Sequence, residues 1–334
     1  MSLVRSRRIQ QEKTSSKMPR YLIILVIVAL PFQLRASDSQ ATKVSFTQSN
    51  NGLQIFVGDQ MVAEYVFKDE QILRPYFRHI RTLTGQQVTR NCPPKAEDLN
   101  DHATMHPGLW LAFGDLNGAD FWRNKGKVKH DGFIKGPQEG RGLGSFTVRN
   151  SYEVSTDKPI ICTEDCTITV SVRPNGYLLD WTSTFRSQES DFSFGDQEEM
   201  GLGVRLATPL AVVKGGEITD SQGRKNGKQV WGQQSDWCEY SGATDGTQLG
   251  VVLMPDPANF RSCWFHARDY GLLVANPFGR NAFTKGEKSK VVVPKGEAFR
   301  LRFGVLVYGV AANEQPQLVE SAYNDFIQSK SVQP

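Results

Sequence analysis

Short runs of alternating apolar and polar residues, separated by Gly, Pro, Asn and Asp, make up most of the chain beyond its amino-terminal segment. A period of two is typical of β-strands that bury one face. Residues 167–173 and 177–185 are two such runs, and Asn175-Gly176 between them predicts a hairpin, because both residues tolerate the positive φ of a tight turn. We predict a second hairpin from 53–57 and 61–67, and further strands at 248–254, 271–275, 290–293 and 299–308.

A helical period occurs only near the carboxyl terminus. There the apolar residues that share one helix face are Leu318, Val319, Ala322, Tyr323, Phe326 and Ile327. Asn313 is a suitable N-cap and Pro316 falls in the first turn, so we predict one helix within residues 313–334. Many strands without strand–helix alternation predict an all-β fold, a large antiparallel β-sandwich over residues 41–312.

The amino-terminal segment has the pattern of a secretory signal. Several cations precede the apolar run 21–30, and Ala36 stands at the start of a polar stretch where cleavage is expected. The run is shorter than the roughly 20 apolar residues that cross a bilayer. We therefore predict a signal peptide over residues 1–36 and an exported protein, periplasmic or extracellular. The alternative is an uncleaved anchor formed by residues 21–34, which would be the protein's one link to a membrane.

The positive charge of the chain belongs to this same segment. The 334 residues include 39 Lys and Arg and 35 Asp and Glu, a formal net charge of +4. Residues 1–36 hold seven of the cations and one of the acids, so the remaining chain has a net charge of −2. A domain without a basic surplus is not expected to bind nucleic acid. A composition of 39% apolar and 22% charged residues also excludes a disordered or a multi-pass membrane protein.

The five cysteines are divided between one close pair and three isolated positions. Cys162 and Cys166 flank Thr163-Glu164-Asp165, which has the composition of a turn, and in an oxidising compartment the pair could form a disulfide. The spacing is not that of a zinc knuckle and no His lies nearby, so a metal pair is disfavoured. The isolated residues are predicted to be buried in the core: Cys92, Cys238 and Cys263.

Side chains that a sandwich does not need for folding collect in three clusters. The first spans residues 74–130 and contains four of the five histidines, the second spans 196–205, and the third runs from 264 through 279. Polar recognition groups collect on loops carried by a rigid sheet, so we expect the clusters to converge. His102 and His266 are acid/base candidates and Glu199 is their carboxylate partner, since proton transfer needs groups that titrate near the working pH.

The residues around these three candidates are suited to holding a sugar. We predict that Trp110 stacks on a sugar ring, and that further polar residues orient substrate oxygens: Arg74, His106, Arg205, Arg268 and Asn276. Each residue also has a structural explanation, because Trp commonly fills the core of a sandwich and buried Arg commonly pairs with a carboxylate. His102 and His106 are four residues apart, but Pro107-Gly108 breaks a helix there, so no metal site is assigned and the cofactor stays unknown.

The same residues carry a resemblance to a known family. The motifs are Arg74-Pro75-Tyr76, Val88-Thr89-Arg90, Asp101-His102 with His106, Gly108-Leu109-Trp110, Asp120-Phe121-Trp122, Gly201 to Arg205, and Arg268 through Gly279. With these motifs the sequence resembles the family called methane oxygenase PmoA-like, a domain family of unknown function, over most of residues 60–310. That family is similar to a group of β-sandwiches that includes sugar mutarotases, which implies the same fold here.

The family name implies copper-dependent methane oxidation, which the sequence contradicts. A membrane-bound methane oxygenase subunit needs several membrane spans, whereas here one short apolar segment precedes a polar, β-rich chain. Our leading hypothesis is an exported carbohydrate-active enzyme, of epimerase, lyase or hydrolase type, that acts on a small sugar or an oligosaccharide. The alternatives are a carbohydrate-binding protein without catalysis and a metalloenzyme that uses His102, His106 and His266.

Overall fold

The computed structural model describes residues 42–155, 157–311 and 315–329. The predicted signal peptide and the alternative anchor lie outside these residues. Within the described ranges, none of the helices has the length and apolar character required to cross a membrane.

Strands dominate the described chain. Three α-helices accompany them: α1 (Asn226–Val230), α2 (Arg280–Thr284) and α3 (Gln315–Gln328). Two 3-10 helices lie at Thr208–Leu210 and Val212–Lys214. In chain order the strands are β1 (Lys43–Gln48), β2 (Gly52–Val57), β3 (Gln60–Val66), β4 (Tyr76–Arg78), β5 (Leu109–Phe113), β6 (Lys127–Gln138), β7 (Gly140–Arg141), β8 (Leu143–Glu153), β9 (Thr163–Arg173), β10 (Gly176–Arg186), β11 (Phe192–Phe194), β12 (Met200–Arg205), β13 (Glu217–Asp220), β14 (Cys238–Thr244), β15 (Thr247–Pro255), β16 (Trp264–Arg268), β17 (Leu272–Asn276), β18 (Val291–Val293) and β19 (Ala298–Val310).

Two large antiparallel sheets form a sandwich, as predicted. The first sheet has the order β16-β17-β12-β5-β4-β3-β2-β1-β7 and the second has the order β13-β14-β15-β19-β10-β9-β8-β6. Aromatic rings from the two sheets meet between them: Phe77 of β4 lies 5.6 Å from Trp181 of β10, and Phe113 of β5 lies 5.5 Å from Phe185. The predicted all-β sandwich is therefore confirmed, with β11 and β18 forming a small third sheet.

Both predicted hairpins are present. β9 and β10 pair over their full lengths from Arg173 opposite Gly176, and Asn175 has the positive φ of 61° that the turn requires. β2 pairs with β3 in the same antiparallel sense. The strands predicted nearer the carboxyl terminus are also present, within two residues of the expected bounds, as β15, β17, β18 and β19.

The predicted disulfide is wrong. All five cysteines are free and buried, and the stretch expected to be a turn is the start of β9. This stretch is extended because the carboxyl group of Glu164 is buried and accepts hydrogen bonds from Asn150 Nδ2 (3.0 Å) and Ser183 Oγ. Cys162 and Cys166 are thus separated along an extended strand, too far apart for a disulfide.

The carboxyl-terminal helix is confirmed as α3, which begins at Gln315 and so places Pro316 in its first turn. The expected cap Asn313 lies outside the described residues. The apolar face of α3 packs on the outer side of the second sheet, where Val319 and Phe326 join a cluster with Val252 and Leu306. One outer face of the sandwich is therefore covered by a helix.

The outer face of the first sheet carries the polar residues of the three clusters. Along β16 the apolar Phe265 and Ala267 join the core between the sheets, so the alternation of a strand sends His266 and Arg268 to the opposite face. The same alternation places Trp110 of β5 outside the core. The loops at 79–108 and 114–126 lie over this face and supply the remaining site residues.

Candidate functional site

The three predicted acid/base residues line one cleft on the outer face of the first sheet. His102, Glu199 and His266 share it with neighbours from the covering loops and from β17: Met105, His106, Trp122, Arg123, Tyr270 and Leu272. The cleft has a volume of about 320 Å³ and opens to solvent. Segments separated by up to 164 positions in sequence thus converge, as the sequence analysis expected.

His102 is held by a carboxylate that is itself held by a buried cation. Arg205 of β12 donates a hydrogen bond from Nη2 to Asp101 Oδ1 (2.6 Å), and Asp101 Oδ2 lies 3.1 Å from His102 Nδ1. Asp101 thereby takes one ring nitrogen and leaves Nε2 as the nitrogen available to the cleft. The backbone of His102 has a φ of 51°, and its side chain is 44% exposed. Arg205 therefore contacts the carboxylate of Asp101 in this arrangement, and its predicted contact with substrate oxygens stays a prediction.

His106 and Trp110 continue a stack of rings beneath His102. The His106 ring lies 4.9 Å from His102 and 5.2 Å from Trp110, nearly parallel to the Trp110 ring. Burial, reinforced by the electrostatic influence of His102 and of the nearby arginines, lowers the pKa of His106 to about 2. Its Nδ1 has no hydrogen-bond partner among the described residues. His106 is therefore a neutral ring in the floor of the cleft.

Trp110 is not part of the cleft lining, and its predicted stacking on a sugar stays a prediction. The ring is fully buried under His106 and meets Trp122 edge-on at 5.2 Å. Gly203 of the neighbouring strand allows this position, because a Cβ there would come within 2.8 Å of the indole. The partly exposed aromatic residue at the cleft is Tyr270, whose ring stacks on His102 at 6.4 Å and lies over the guanidinium of Arg205 at 4.6 Å.

Arg74 supports the loops that build the cleft and is not part of its lining, and its predicted substrate contact stays a prediction. The side chain is 3% exposed and donates to the carbonyl oxygens of Trp122 (3.0 Å) and Met105 and to Asn124 Oδ1 (2.8 Å). Burial lowers the pKa of its guanidinium to about 9. Two chain segments, Met105 and residues 121–124, converge on this one cation, which fixes the segment that carries His102 and His106.

His266 is held as a neutral ring with both nitrogens engaged. Arg268 donates from Nε to His266 Nε2 (2.9 Å), and His266 Nδ1 lies 3.3 Å from the carbonyl oxygen of Glu198. Burial, reinforced by the charge of Arg268, lowers the pKa of His266 to about 4. In this arrangement both nitrogens of His266 are engaged, and its predicted acid/base role stays a prediction.

Arg268 and Asn276 hold the loop that carries Glu199. Arg268 Nη2 forms an ion pair with Glu198 (3.0 Å), and Asn276 Nδ2 donates to the carbonyl oxygens of Gln197 (2.8 Å) and Glu198 (3.0 Å). Asn276 is fully buried and positions the loop in this arrangement, and its predicted contact with substrate stays a prediction. Arg268 remains 41% exposed and is the one predicted substrate-binding arginine with a free surface.

Glu199 pairs with a residue that the sequence analysis did not select. Arg123 Nη2 lies 2.8 Å from Glu199 Oε2, and Arg123 also forms an ion pair with Asp120 (3.1 Å). Both members of the Arg123–Glu199 pair line the cleft and are about one third exposed. Arg123 directly follows the Asp120-Phe121-Trp122 motif, and this position was the sequence feature that could have identified it as a site residue.

The histidine pair does not fit a metal ion in this arrangement. One ligand atom from each of Asp101, His102 and His106 lies within 4.8 Å of the others. A metal binds in the plane of an imidazole, roughly 2.0–2.1 Å from its nitrogen. The two rings are stacked face to face with only 29° between their planes, so they cannot both point at one ion at that distance. The copper that the PmoA-like name implies therefore finds no suitable donor set here.

Comparisons with known proteins assign the family. Residues 52–320 match a family of unknown function, DUF6807. The chain belongs to the DUF6807 family. The predicted PmoA-like relationship stays a prediction beside this assignment. No curated protein sequence is detectably similar to this DUF6807 chain.

Solved structures resemble the DUF6807 chain only distantly. An α-galactosidase from Geobacillus stearothermophilus is 12% identical with a TM-score of 0.41, covering 79% of this chain and 40% of its own. An α-galactosidase from Lactobacillus brevis is 11% identical with a TM-score of 0.44, covering 84% and 41%. A galactose mutarotase-like protein from Lactobacillus casei is 11% identical with a TM-score of 0.36, covering 80% and 99%. The chain spans about two fifths of either galactosidase.

Proposed function

We propose that this DUF6807 protein is an exported enzyme that transfers protons on a sugar substrate, with His102 as the catalytic acid/base. The observation that carries the proposal is the convergence of an Asp-anchored histidine and a carboxylate on one solvent-open cleft. Tyr270 supplies a flat apolar ring beside these polar groups, a combination that suits a sugar ring with its hydroxyl edge and apolar face.

The geometry assigns a role to each of the cleft residues. Asp101 accepts the Nδ1 proton of His102 and leaves the Nε2 lone pair to accept a proton from the substrate and later return it, which typically accelerates a reaction by roughly 10²–10⁴-fold. Glu199 and Arg123 offer an acceptor and a donor for substrate hydroxyl groups. This transfer is common to epimerisation, elimination and hydrolysis, and the product distinguishes among the three.

The second candidate is a carbohydrate-binding protein without catalysis. The partly exposed Tyr270 and the Arg123–Glu199 pair would serve binding equally well. Binding alone does not require a histidine whose Nδ1 is held by a carboxylate while its Nε2 faces the cleft. The arrangement of Asp101 and His102 therefore favours the enzyme. Conversion of a bound sugar, as opposed to binding alone, separates the two candidates.

The experiment is a screen of the purified protein against mono- and oligosaccharides for thermal stabilisation, followed by product analysis for every sugar that stabilises it. His102→Asn removes the imidazole and keeps a residue that tolerates positive φ. Lys285→Asn is the matched control, an exposed residue with a φ of 58° outside the cleft. We expect His102→Asn to retain binding and lose conversion, Glu199→Gln to weaken binding, and Lys285→Asn to change neither. Absence of stabilisation by any sugar would overturn the proposal.

A further inference from the structure

Three depressions lie in a row across the outer face of the first sheet. The central one is the cleft that holds His102 and Glu199. On one side, a larger cleft of about 1260 Å³ lies over β3 and β4 and is lined by Glu64, Tyr76 and Arg78. On the other side, an open groove of about 580 Å³ at β16 is lined by Trp231, Arg268 and Asp269. Their order follows the order of the strands beneath them.

Neighbouring depressions share walls. The segment that places His102 and Met105 in the central cleft places Ala103 and Thr104 in the larger cleft. On the opposite side, Arg268 lines the groove and donates its hydrogen bond to His266 of the central cleft. The wall between the central and the larger cleft is thus the segment 102–105, and the wall between the central cleft and the groove is the Arg268–His266 contact.

The length of the row exceeds a single sugar ring. β16 and β3 are the first and sixth strands of the sheet, and strands lie about 4.8 Å apart, so the row spans about 24 Å. Each outer depression offers polar groups, and the groove also offers the partly exposed ring of Trp231. The hydroxyl of Tyr76 donates to Asp69 Oδ2 in the larger cleft, and the half-buried Trp231 lies under the guanidinium of Arg268 in the groove.

We propose, building on the proposed function, that the substrate is an extended oligosaccharide that lies across the strands of the first sheet. The reacting unit occupies the central cleft beside His102, and neighbouring units occupy the larger cleft over β3 and β4 and the groove beside Trp231. Both outer depressions contain acidic and basic side chains, Glu64 with Arg78 and Asp269 with Arg268, so the neighbouring units are hydroxyl-rich and do not need a net charge.

The test measures the affinity of the full chain for one series of sugars from one to six units, using the sugar type that stabilises the protein. Gln71→Trp places a large side chain in the larger cleft, and Trp231→Ala removes the ring from the groove. Gln222→Trp is a matched control, because Gln71 and Gln222 are exposed residues whose backbone N–H groups donate to an Asp two positions earlier, Asp69 and Asp220.

We expect affinity to rise with chain length, and Gln71→Trp and Trp231→Ala each to weaken binding of the longest sugar about tenfold while binding of the monosaccharide is unchanged. Gln222→Trp should match the wild type throughout. Equal affinity for the monosaccharide and the longest sugar would overturn the extended site and leave the proposed function standing. Binding of no sugar at all would overturn both. Unchanged monosaccharide binding in the variants shows that they are folded.

Discussion

The ion pair between Arg205 and Asp101 makes a sharp prediction, because its two members differ in exposure. The Arg205 side chain is 1% exposed, and Asp101 is 34% exposed. Removing one member of a buried pair leaves the other charge without a partner, which costs about 3–5 kcal/mol when that charge has no access to water. The two single substitutions should therefore have unequal effects on the free energy of unfolding.

Asp101→Ala leaves the buried Arg205 cation without its carboxylate. We expect it to lower the free energy of unfolding by about 3 kcal/mol, the low end of the range, because the lost partner was partly solvated. Arg205→Met removes the buried charge and leaves Asp101 partly exposed to water and beside Arg90 and His102, so we expect a loss of about 1 kcal/mol. The double variant should be more stable than Asp101→Ala alone, since it no longer contains the unpaired Arg205 cation.

Urea unfolding followed by tryptophan fluorescence and circular dichroism, at one pH and salt concentration, measures the three differences. The reasoning is refuted if Arg205→Met is the more destabilising single substitution, or if the double variant loses the sum of both single losses. Either result would mean that the charge of Arg205 is solvated or paired with a group other than Asp101.

Three further predictions concern the packing, the titration and the thiols. Gly203→Ala places a Cβ against the Trp110 ring and should lower the free energy of unfolding by about 1–3 kcal/mol in the same urea assay. An unchanged free energy of unfolding would contradict this prediction. Because the pKa values of His106 and His266 are lowered to about 2 and about 4, the unfolded chain binds protons below about pH 6.5 that the folded chain does not. Acidification from about pH 7 to about pH 5 should therefore lower the free energy of unfolding by about 2 kcal/mol for each histidine. In His266→Gln the contribution of His266 to this pH dependence should be absent. A pH dependence equal to that of the wild type would contradict the neutral state of His266. A thiol reagent should label none of the five cysteines in the folded protein and all five in urea under non-reducing conditions, whereas fewer than five labelled thiols in urea would indicate a disulfide.

Much of the fold followed from local pattern. The Asn175-Gly176 turn, the alternating strands and the apolar face of α3 each have a short-range cause, and all were predicted within a few residues. The stretch before Cys166 was misjudged because Glu164 is stabilised inside β9 by Asn150 and Ser183. Hydrogen-bond partners on neighbouring strands cannot be identified from the local sequence.

The candidate site was predicted as a set of segments more successfully than as a set of roles. His102, Glu199 and His266 do meet in one cleft, because strand alternation and the covering loops bring their segments together. The roles of Arg74 and His266 depend on which atoms they contact, namely backbone carbonyls for the first and the Arg268 guanidinium for the second. Such contacts form between distant segments, and residue type and spacing do not specify them.

The central claim is that a sugar binds in the cleft beside the outer nitrogen of His102. A crystal structure of the Glu199→Gln or His102→Asn variant would lack one contact, so the direct test is a crystal structure of the wild-type protein with a slowly converted or non-convertible analogue of the sugar that stabilises it most. The account predicts a sugar oxygen within about 3 Å of His102 Nε2, with the ring against Tyr270. A sugar bound elsewhere on the sandwich, with the cleft beside His102 filled only by water, would contradict it.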